Sequence, residues 1–204
     1  MKVKICGITN QQDAKDAVEE GANALGFIFY SKSPRYISLL DAGRIIRTLG
    51  KSVLPVGVFV NAPREEVLRA IHETGIGCVQ LHGEEDPEYT QAFPVPVWKA
   101  FRVGPNFNED ELTRYHVGAY LLDAHVDGRW GGTGRTFDWE IACRAKRFGN
   151  VVLSGGITPQ NVVDAVRTVR PYAIDVSSGV EISPGRKDRQ KLLRLFANIR
   201  TIEG

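Results

Sequence analysis

Residues 3–29, VKICGITNQQDAKDAVEEGANALGFIF, contain two short apolar runs on either side of a helical pattern. Val3 to Cys6 and Ala24 to Phe29 have the nearly continuous apolar character of strands that are covered on both faces of a parallel sheet. Gln12 to Glu20 lies between them and is amphipathic, as expected of a helix packed on such a sheet. The segment therefore predicts a strand, a helix and a second strand.

The same alternation continues to the end of the chain. Further strands are predicted at Leu54–Val60, Cys78–Leu81, Val97–Arg102, Ala119–Leu122, Val151–Leu153 and Ala173–Val176, and helices at Leu39–Leu49, Arg64–Glu73, Asp86–Ala92, Glu109–Tyr115, Asp138–Arg147, Asn161–Val169 and Asp188–Ile199. Eight strand-helix units are the number that closes a (β/α)8 TIM-type barrel, an α/β fold. The alternative is an open doubly wound sheet, although such sheets more often have five or six strands.

The length of 204 residues suits one domain with one core, residues 1–204, and short loops. Lys and Arg (26) nearly balance Asp and Glu (24), and no concentrated basic run points to nucleic acid. No long apolar run points to a membrane, so we expect a cytoplasmic protein. Cys6, Cys78 and Cys143 lack metal-type spacing, which argues against disulfides and zinc.

Active sites of TIM-type barrels lie where the strands end, at their carboxyl side. The residues that follow or close the predicted strands are polar where the preceding runs are apolar. They are Cys6, Asn61, His82, Arg102, Asp123, Ser154 and Ser177.

Two glycine-containing loops follow the last two predicted strands. These loops are Ser154 to Ile157 and Ser177 to Val180. Glycines let backbone N–H groups approach an anion, and barrels of this kind often bind phosphate at these two loops. The pair therefore predicts a phosphate-bearing ligand, although glycines also serve in tight strand-helix turns.

Two titratable residues are candidates for proton transfer. Asp123 precedes the glycine-rich run Gly131 to Gly134, and a carboxyl group under a closing lid suits a general acid. By position it suits equally a helix cap or a partner of an arginine. Cys6 faces the mouth, although free cysteines usually pack as small hydrophobes. Lys4 points to the same side, where it either favours the thiolate or pairs with an acid such as Asp175.

Arg35 and His82 are candidates for binding a ligand. Arg35 follows a proline in the loop after the second strand, which suits a bidentate clamp for a carboxylate, although many loop arginines are simply solvated. His82 either donates to the ligand or satisfies a loop carbonyl. The other histidines show no metal-ligand spacing, which disfavours metal catalysis.

Over essentially its whole length, the chain resembles the phosphoribosylanthranilate isomerase family of tryptophan biosynthesis. The resemblance rests on an ordered set of motifs, namely Lys4–Thr9, Gly26–Phe29, Ser33–Tyr36, Val58–Asn61, Gln80–Gly83, Leu122-Asp123, Gly131–Gly134, Ser154–Ile157, and Asp175–Glu181 with Pro184-Gly185. It implies a TIM-barrel isomerase that needs neither cofactor nor metal. The implied reaction is the Amadori rearrangement of N-(5-phosphoribosyl)anthranilate to 1-(o-carboxyphenylamino)-1-deoxyribulose 5-phosphate.

Site roles also follow from the resemblance. It implies that Cys6 is the general base, that Asp123 is the general acid, and that Arg35 binds the anthranilate carboxylate. The other implied substrate-binding residues are His82, Gly155, Gly156, Asp175, Ser178 and Gly179.

The expected partner is a small phosphorylated molecule, with no nucleic acid or membrane partner, and a homodimer is compatible with a compact barrel. Two rival interpretations remain. The related isomerase of histidine biosynthesis uses two aspartates, so the cysteine at position 6 speaks against it. A noncatalytic sensor of phosphorylated metabolites would need the phosphate loops but neither Cys6 nor Asp123.

Overall fold

The computed structural model describes residues 1–104, 106–124 and 137–203, so the glycine-rich run Gly131 to Gly134 lies outside the described residues. Eight parallel strands close into a barrel in sequence order, with the eighth strand beside the first. The strands are β1 (Lys2–Cys6), β2 (Ala24–Ile28), β3 (Leu54–Phe59), β4 (Cys78–Leu81), β5 (Val97–Val103), β6 (Ala119–Ala124), β7 (Val151–Leu153) and β8 (Ala173–Val176). The predicted TIM-type barrel is confirmed, and the open sheet is wrong.

The α-helices of the described residues lie between these strands and after the last one. They are α1 (Gln11–Glu20), α2 (Leu39–Ile46), α3 (Arg64–Thr74), α4 (Trp139–Ala145), α5 (Val162–Val169) and α6 (Arg189–Glu203). None of them has both the length and the apolar character needed to cross a lipid bilayer.

Two of the predicted helices are wrong in type. Asp86 to Ala92 forms only a 3₁₀ turn at Tyr89–Gln91. Pro87 lies at the start of the predicted helix and Pro94 follows its end. The residue before a proline is rarely helical, so both prolines disfavour an α-helix here. Glu109–Arg114 is likewise 3₁₀, not α-helical.

The barrel interior has an apolar layer below a polar one. The apolar layer includes Ala24, Val56, Cys78, Leu121, Val152 and Ala173, which pack together. Side chains two residues apart share one face of a strand, so the next inward positions lie nearer the carboxyl ends. These positions are Gly26, Val58, Gln80, Asp123, Ser154 and Asp175. The barrel is therefore sealed below and presents polar groups at its mouth.

The seam between β1 and β8 contains a buried ion pair. Lys4 is in register with Asp175, and its Nζ donates to Asp175 Oδ1 at 2.8 Å. The Lys4 side chain is fully buried and that of Asp175 is 5% exposed. The pairing that the sequence offered as one alternative for Lys4 is thus confirmed.

An antiparallel hairpin that the sequence did not predict follows β8. It consists of β9 (Glu181–Ser183) and β10 (Arg186–Lys187). Gly185 in the turn has a φ of 79°, and its carbonyl accepts a hydrogen bond from Thr9 Oγ1 at 2.5 Å. The hairpin therefore lies against the loop between β1 and α1, next to the end of β1.

We expect Lys4→Met to lower the free energy of unfolding by about 3–5 kcal/mol, because it leaves the Asp175 carboxyl group buried without its cation. Asp175→Asn removes that charge, so the double variant should recover much of the loss. Urea unfolding of the wild type, both single variants and the double variant measures the coupling. Losses that simply add in the double variant would contradict a coupled pair.

Candidate active site

An open cavity lies at the carboxyl ends of the strands. Its lining brings together seven of the residues singled out in the sequence, from β1, β6, β8 and the loops after β2, β4, β7 and β8. They are Cys6, Arg35, His82, Asp123, Ser154, Asp175 and Ser177. The polar strand ends therefore converge on one site, as the barrel prediction required.

Cys6 closes β1 with its side chain directed toward Gly26 of β2. A Cβ atom at position 26 would lie 2.6 Å from Cys6 Sγ and 3.0 Å from Lys4 Nζ, so only glycine leaves room for both groups. The thiol and the ammonium are therefore close neighbours. Asp175 bonds to Lys4 through Oδ1, and this residue also lines the cavity.

Burial raises the pKa of the Cys6 thiol, and the adjacent Lys4 ammonium offsets only part of that effect. Burial alone would lower the pKa of Lys4, but the charges of Asp175 and Cys6 raise it overall. At neutral pH the site therefore holds mainly a thiol beside an ammonium group. Lys4 favours the thiolate, as predicted, but burial has the larger effect.

Asp123 lies near the end of β6 and is 3% exposed. Its Oδ1 accepts a hydrogen bond from the Ala124 N–H at 3.0 Å, and its Oδ2 is 3.3 Å from His82 Nε2. The residue that caps α4 is Asp138, whose side chain accepts from the Glu140 N–H. Of the alternatives raised for Asp123, capping the next helix is therefore wrong.

Gln80 lies on β4, two residues before His82, and was not predicted as a site residue. Its amide nitrogen is 2.8 Å from His82 Nδ1. Because an amide nitrogen only donates, in this arrangement Nδ1 accepts and a neutral ring carries its proton on Nε2, facing Asp123. The His82 side chain thus faces a carboxylate, not a loop carbonyl.

A buried ion pair holds the loop after β4. Lys99 Nζ lies 3.1 Å from Glu85 Oε2 and donates to the Gly83 carbonyl at 2.8 Å. Glu85 in turn accepts from the Gly83 and Asn61 N–H groups at 2.9 and 2.8 Å. These bonds fix the backbone that follows His82.

The two glycine-containing loops pack against each other and against Asp123. Gly155 and Gly156 have φ values of 81° and 65°, which favour glycine. A Cβ atom at Gly155 would lie 3.0 Å from Asp123 Oδ1, and one at Gly179 would collide with the Ile157 carbonyl. The loops therefore adopt a geometry that only glycine allows, beside the candidate acid.

Arg35 is buried, so solvation does not explain this loop arginine. Its Nε donates to Glu181 Oε1 at 2.9 Å, and its NH2 donates to Oε2 at 2.7 Å. A Cβ atom at Gly7, whose φ is 79°, would lie 2.7 Å from Arg35 Cδ. The turn after Cys6 therefore needs glycine both for its conformation and for the approach of Arg35.

Lys187 completes this cluster from β10. Its Nζ donates to Glu181 Oε1 at 2.8 Å and to the Cys6 carbonyl at 2.5 Å. Burial raises the pKa of Glu181, but Arg35 and Lys187 lower it overall; burial lowers the pKa of Lys187 against the opposing charge of Glu181. Sequence reasoning missed Lys187. Only the hairpin brings this residue near Cys6, and the sequence did not predict the hairpin.

Among the described residues, no group of three or more His, Cys, Asp or Glu side chains is arranged to hold a metal ion. The chemistry that this part of the chain offers is proton transfer between buried side chains and binding of anions. Cys6 and Asp123 supply the groups for proton transfer, and Arg35 and the two glycine-containing loops supply the groups for binding anions.

Comparison with known proteins identifies the family of the chain. The sequence model of the N-(5'phosphoribosyl)anthranilate (PRA) isomerase family matches residues 3–198. The chain belongs to this family. An N-(5'-phosphoribosyl)anthranilate isomerase from Citrifermentans bemidjiense is 54% identical over 201 residues, 98% of each chain.

Solved structures of the same family are also similar. The phosphoribosyl anthranilate isomerase of Thermus thermophilus has a TM-score of 0.92 and 41% identity, covering 99% of this chain and 100% of its own. Another phosphoribosyl anthranilate isomerase was solved in complex with reduced 1-(o-carboxyphenylamino)-1-deoxyribulose 5-phosphate; it has a TM-score of 0.89 and 41% identity and covers 98% and 99% of the two chains. The family resemblance read from the motifs is therefore confirmed.

We expect the alkylation rate of Cys6 to keep rising with pH beyond about 9, because burial holds its pKa above the ordinary thiol value. The measurement uses iodoacetamide on a variant with Cys78→Ala and Cys143→Ser, so that Cys6 is the remaining thiol. The same variant in urea is the control and should titrate near ~8.5. A plateau below about pH 8 in the folded protein would show a stabilised thiolate instead.

Proposed function

We propose that this barrel catalyses the Amadori rearrangement of N-(5-phosphoribosyl)anthranilate to 1-(o-carboxyphenylamino)-1-deoxyribulose 5-phosphate, a step of tryptophan biosynthesis. Asp123 acts as the general acid and Cys6 as the general base. The observation that carries the proposal is the convergence of these two groups on one cavity, with the loop of Gly155 beside the acid. Family membership over nearly the whole chain supports the same reaction.

In the first step, Asp123 gives a proton to the ring oxygen of the ribose. The bond between that oxygen and C1 breaks, and the nitrogen lone pair forms the C1=N bond of a Schiff base. His82, 3.3 Å from Asp123 Oδ2, presents a ring N–H that stabilises the carboxylate left behind. The His82 ring N–H and the Ala124 N–H thus make the conjugate base easier to form.

In the second step, the Cys6 thiolate removes the proton from C2. The C–H electrons form a C1=C2 double bond, and the π electrons of the C1=N bond move onto nitrogen to give an enolamine. Tautomerisation of the enolamine moves the C2 hydroxyl proton to C1 and gives the ketone. Solvent then returns a proton to Asp123 and takes one from Cys6, so the reaction consumes no external reagent. The Lys4 ammonium stabilises the thiolate, and Asp175 holds Lys4 in place.

Anionic groups at the two ends of the substrate fix its position between acid and base. The backbone at Gly155, Gly156, Ser178 and Gly179 binds the phosphate, and the left-handed conformations of Gly155 and Gly156 suit a loop that turns its N–H groups toward an anion. The guanidinium of Arg35 binds the carboxylate at the other end of the cavity. The ribose then lies over the barrel mouth.

A sensor without catalytic activity remains the second candidate from a different class. Its geometry would need the phosphate loops and Arg35 only. The buried pairing of His82 with Asp123 and of Lys4 with Cys6 favours the enzyme, because a sensor that only binds a phosphate and a carboxylate needs neither pair.

Asp123→Asn and Cys6→Ala should each lower kcat by at least about 100-fold, because each removes a general acid or base. The assay follows loss of the fluorescent anthranilate adduct by purified protein. Binding of the reduced product, 1-(o-carboxyphenylamino)-1-deoxyribulose 5-phosphate, should survive in both variants and serves as the control for folding. Near-wild-type turnover in either variant would remove that residue from its role, and an inactive wild type would favour the sensor.

A cytoplasmic location stays a prediction.

We also propose that the chain forms a homodimer. A similar phosphoribosylanthranilate isomerase from Thermotoga maritima, 41% identical, is a dimeric protein. On this chain, Tyr36 and Leu40 are large apolar side chains that are 47% and 62% exposed near the start of α2. Burial of such a patch against a second copy would be favourable.

Light scattering of the purified protein should give twice the mass of one chain. Leu40→Glu should shift the mass toward one chain, because it places a charge in the apolar patch. Lys15→Glu, on an exposed position of α1, is the matched control. A wild-type mass of one chain at micromolar concentration would contradict the dimer, and a dimer unaffected by Leu40→Glu would place the interface elsewhere.

A further inference from the structure

The proposed carboxylate-binding arginine is already bound to a carboxylate of its own chain. Glu181 accepts hydrogen bonds from the Nε and NH2 groups on one edge of the Arg35 guanidinium and leaves the NH1 group without a partner among the described residues. Arg35 and Glu181 together carry no net charge. A neutral pair attracts a second carboxylate only weakly, so Arg35 and Glu181 alone do not explain a preference for a substrate with a carboxylate.

Lys187 changes this charge balance. It is buried, and its ammonium donates to the same Glu181 carboxylate that holds Arg35. Arg35, Glu181 and Lys187 therefore sum to one positive charge. Asp13 and Lys191 contact the main chain of the same hairpin and offset each other. The surplus charge lies in a buried region, where charges interact more strongly than in water.

The geometry directs the surplus charge to Arg35. Lys187 Nζ is occupied by Glu181 Oε1 and the Cys6 carbonyl, so it does not itself face the ligand as a free donor. Arg35 lines the cavity and keeps unused N–H groups. The ammonium thus acts through Glu181, by neutralising the charge that would otherwise cancel that of Arg35.

We propose that Lys187 is a positioning residue that sets the preference of the site for a carboxylated substrate, by offsetting Glu181 so that Arg35 keeps a net positive charge. This inference rests on the proposed function, since it concerns the carboxylate end of the same substrate. A purely structural Lys187 would tie the hairpin to β1 and would affect all ligands alike.

The test compares two ligands that differ only in the carboxylate. The probes are reduced 1-(o-carboxyphenylamino)-1-deoxyribulose 5-phosphate and its counterpart without the carboxyl group, titrated by calorimetry at pH 7. The ratio of the two dissociation constants measures the carboxylate preference and cancels losses that are common to both probes. Lys187→Met should lower that preference about tenfold.

Two further variants separate charge from structure. Adding Glu181→Gln to Lys187→Met restores a single positive charge, so the double variant should regain the carboxylate preference that Lys187→Met loses. Arg186→Met removes the same charge at an exposed neighbouring position of the hairpin and should leave the preference unchanged. If Lys187→Met does not fold, Glu181→Gln alone still tests the charge count, because its preference should at least equal that of the wild type.

Each outcome bears on one proposal. An unchanged preference in Lys187→Met, or a double variant that prefers the carboxylate no more than Lys187→Met, would overturn the role of Lys187. A preference lowered equally by Arg186→Met would also overturn it. The isomerase assay of the wild type runs in parallel, because a wild type without turnover counts against the proposed function and not against the charge balance.

Discussion

The buried ion pair between Lys4 and Asp175 is the interaction on which the site depends. It joins the first strand of the barrel to the last, and it places an ammonium group beside the Cys6 thiol. An unpaired ammonium at this depth would lose its proton or disrupt the fold. The seam that closes the barrel therefore also supplies the cation that the proposed base needs.

The arrangement of the interior explains why a small barrel can hold such groups. Apolar side chains fill the lower layer, and the polar layer starts one side-chain step above it. Gln80 and Asp123 belong to this upper layer and are almost fully buried. Main-chain pairing with the neighbouring strands holds both residues, and the His82 N–H donates to the Phe59 carbonyl of β3 at 2.8 Å, so the barrel positions the proposed acid and its histidine.

Much of this was predictable from the sequence, because a parallel barrel brings all its strand ends to one face. That rule was enough to place Cys6, His82, Asp123 and the glycine loops around one cavity. Strand alternation also predicted that Lys4 and Cys6 share a side, and the adjacent first and eighth strands made Asp175 a candidate partner for Lys4. These inferences need only the order of the strands around the barrel and the two-residue alternation of side chains along each strand.

The cluster around Arg35 was not predictable in the same way. Glu181 and Lys187 lie in a short hairpin without an apolar alternation, and their contacts with Arg35 and Cys6 cross 146 and 181 residues of sequence. Gln80 was overlooked for a different reason, since its role appears only once the ring of His82 is oriented. Residues whose role is to hold another side chain are harder to predict from the sequence than residues at a strand end.

Both cation clusters reach Cys6, and this links substrate binding to the base. Lys4 is balanced by Asp175 and Lys187 by Glu181, and both lysines contact Cys6, one beside its sulfur and the other at its carbonyl. A substrate that brings a phosphate and a carboxylate adds negative charge near the thiol, which by itself disfavours the thiolate. The surplus positive charge of Arg35 and Lys187 opposes that effect at the moment when the base is needed. On the proposed mechanism, the charge that selects the carboxylate therefore also keeps Cys6 able to take up a proton while the substrate is bound.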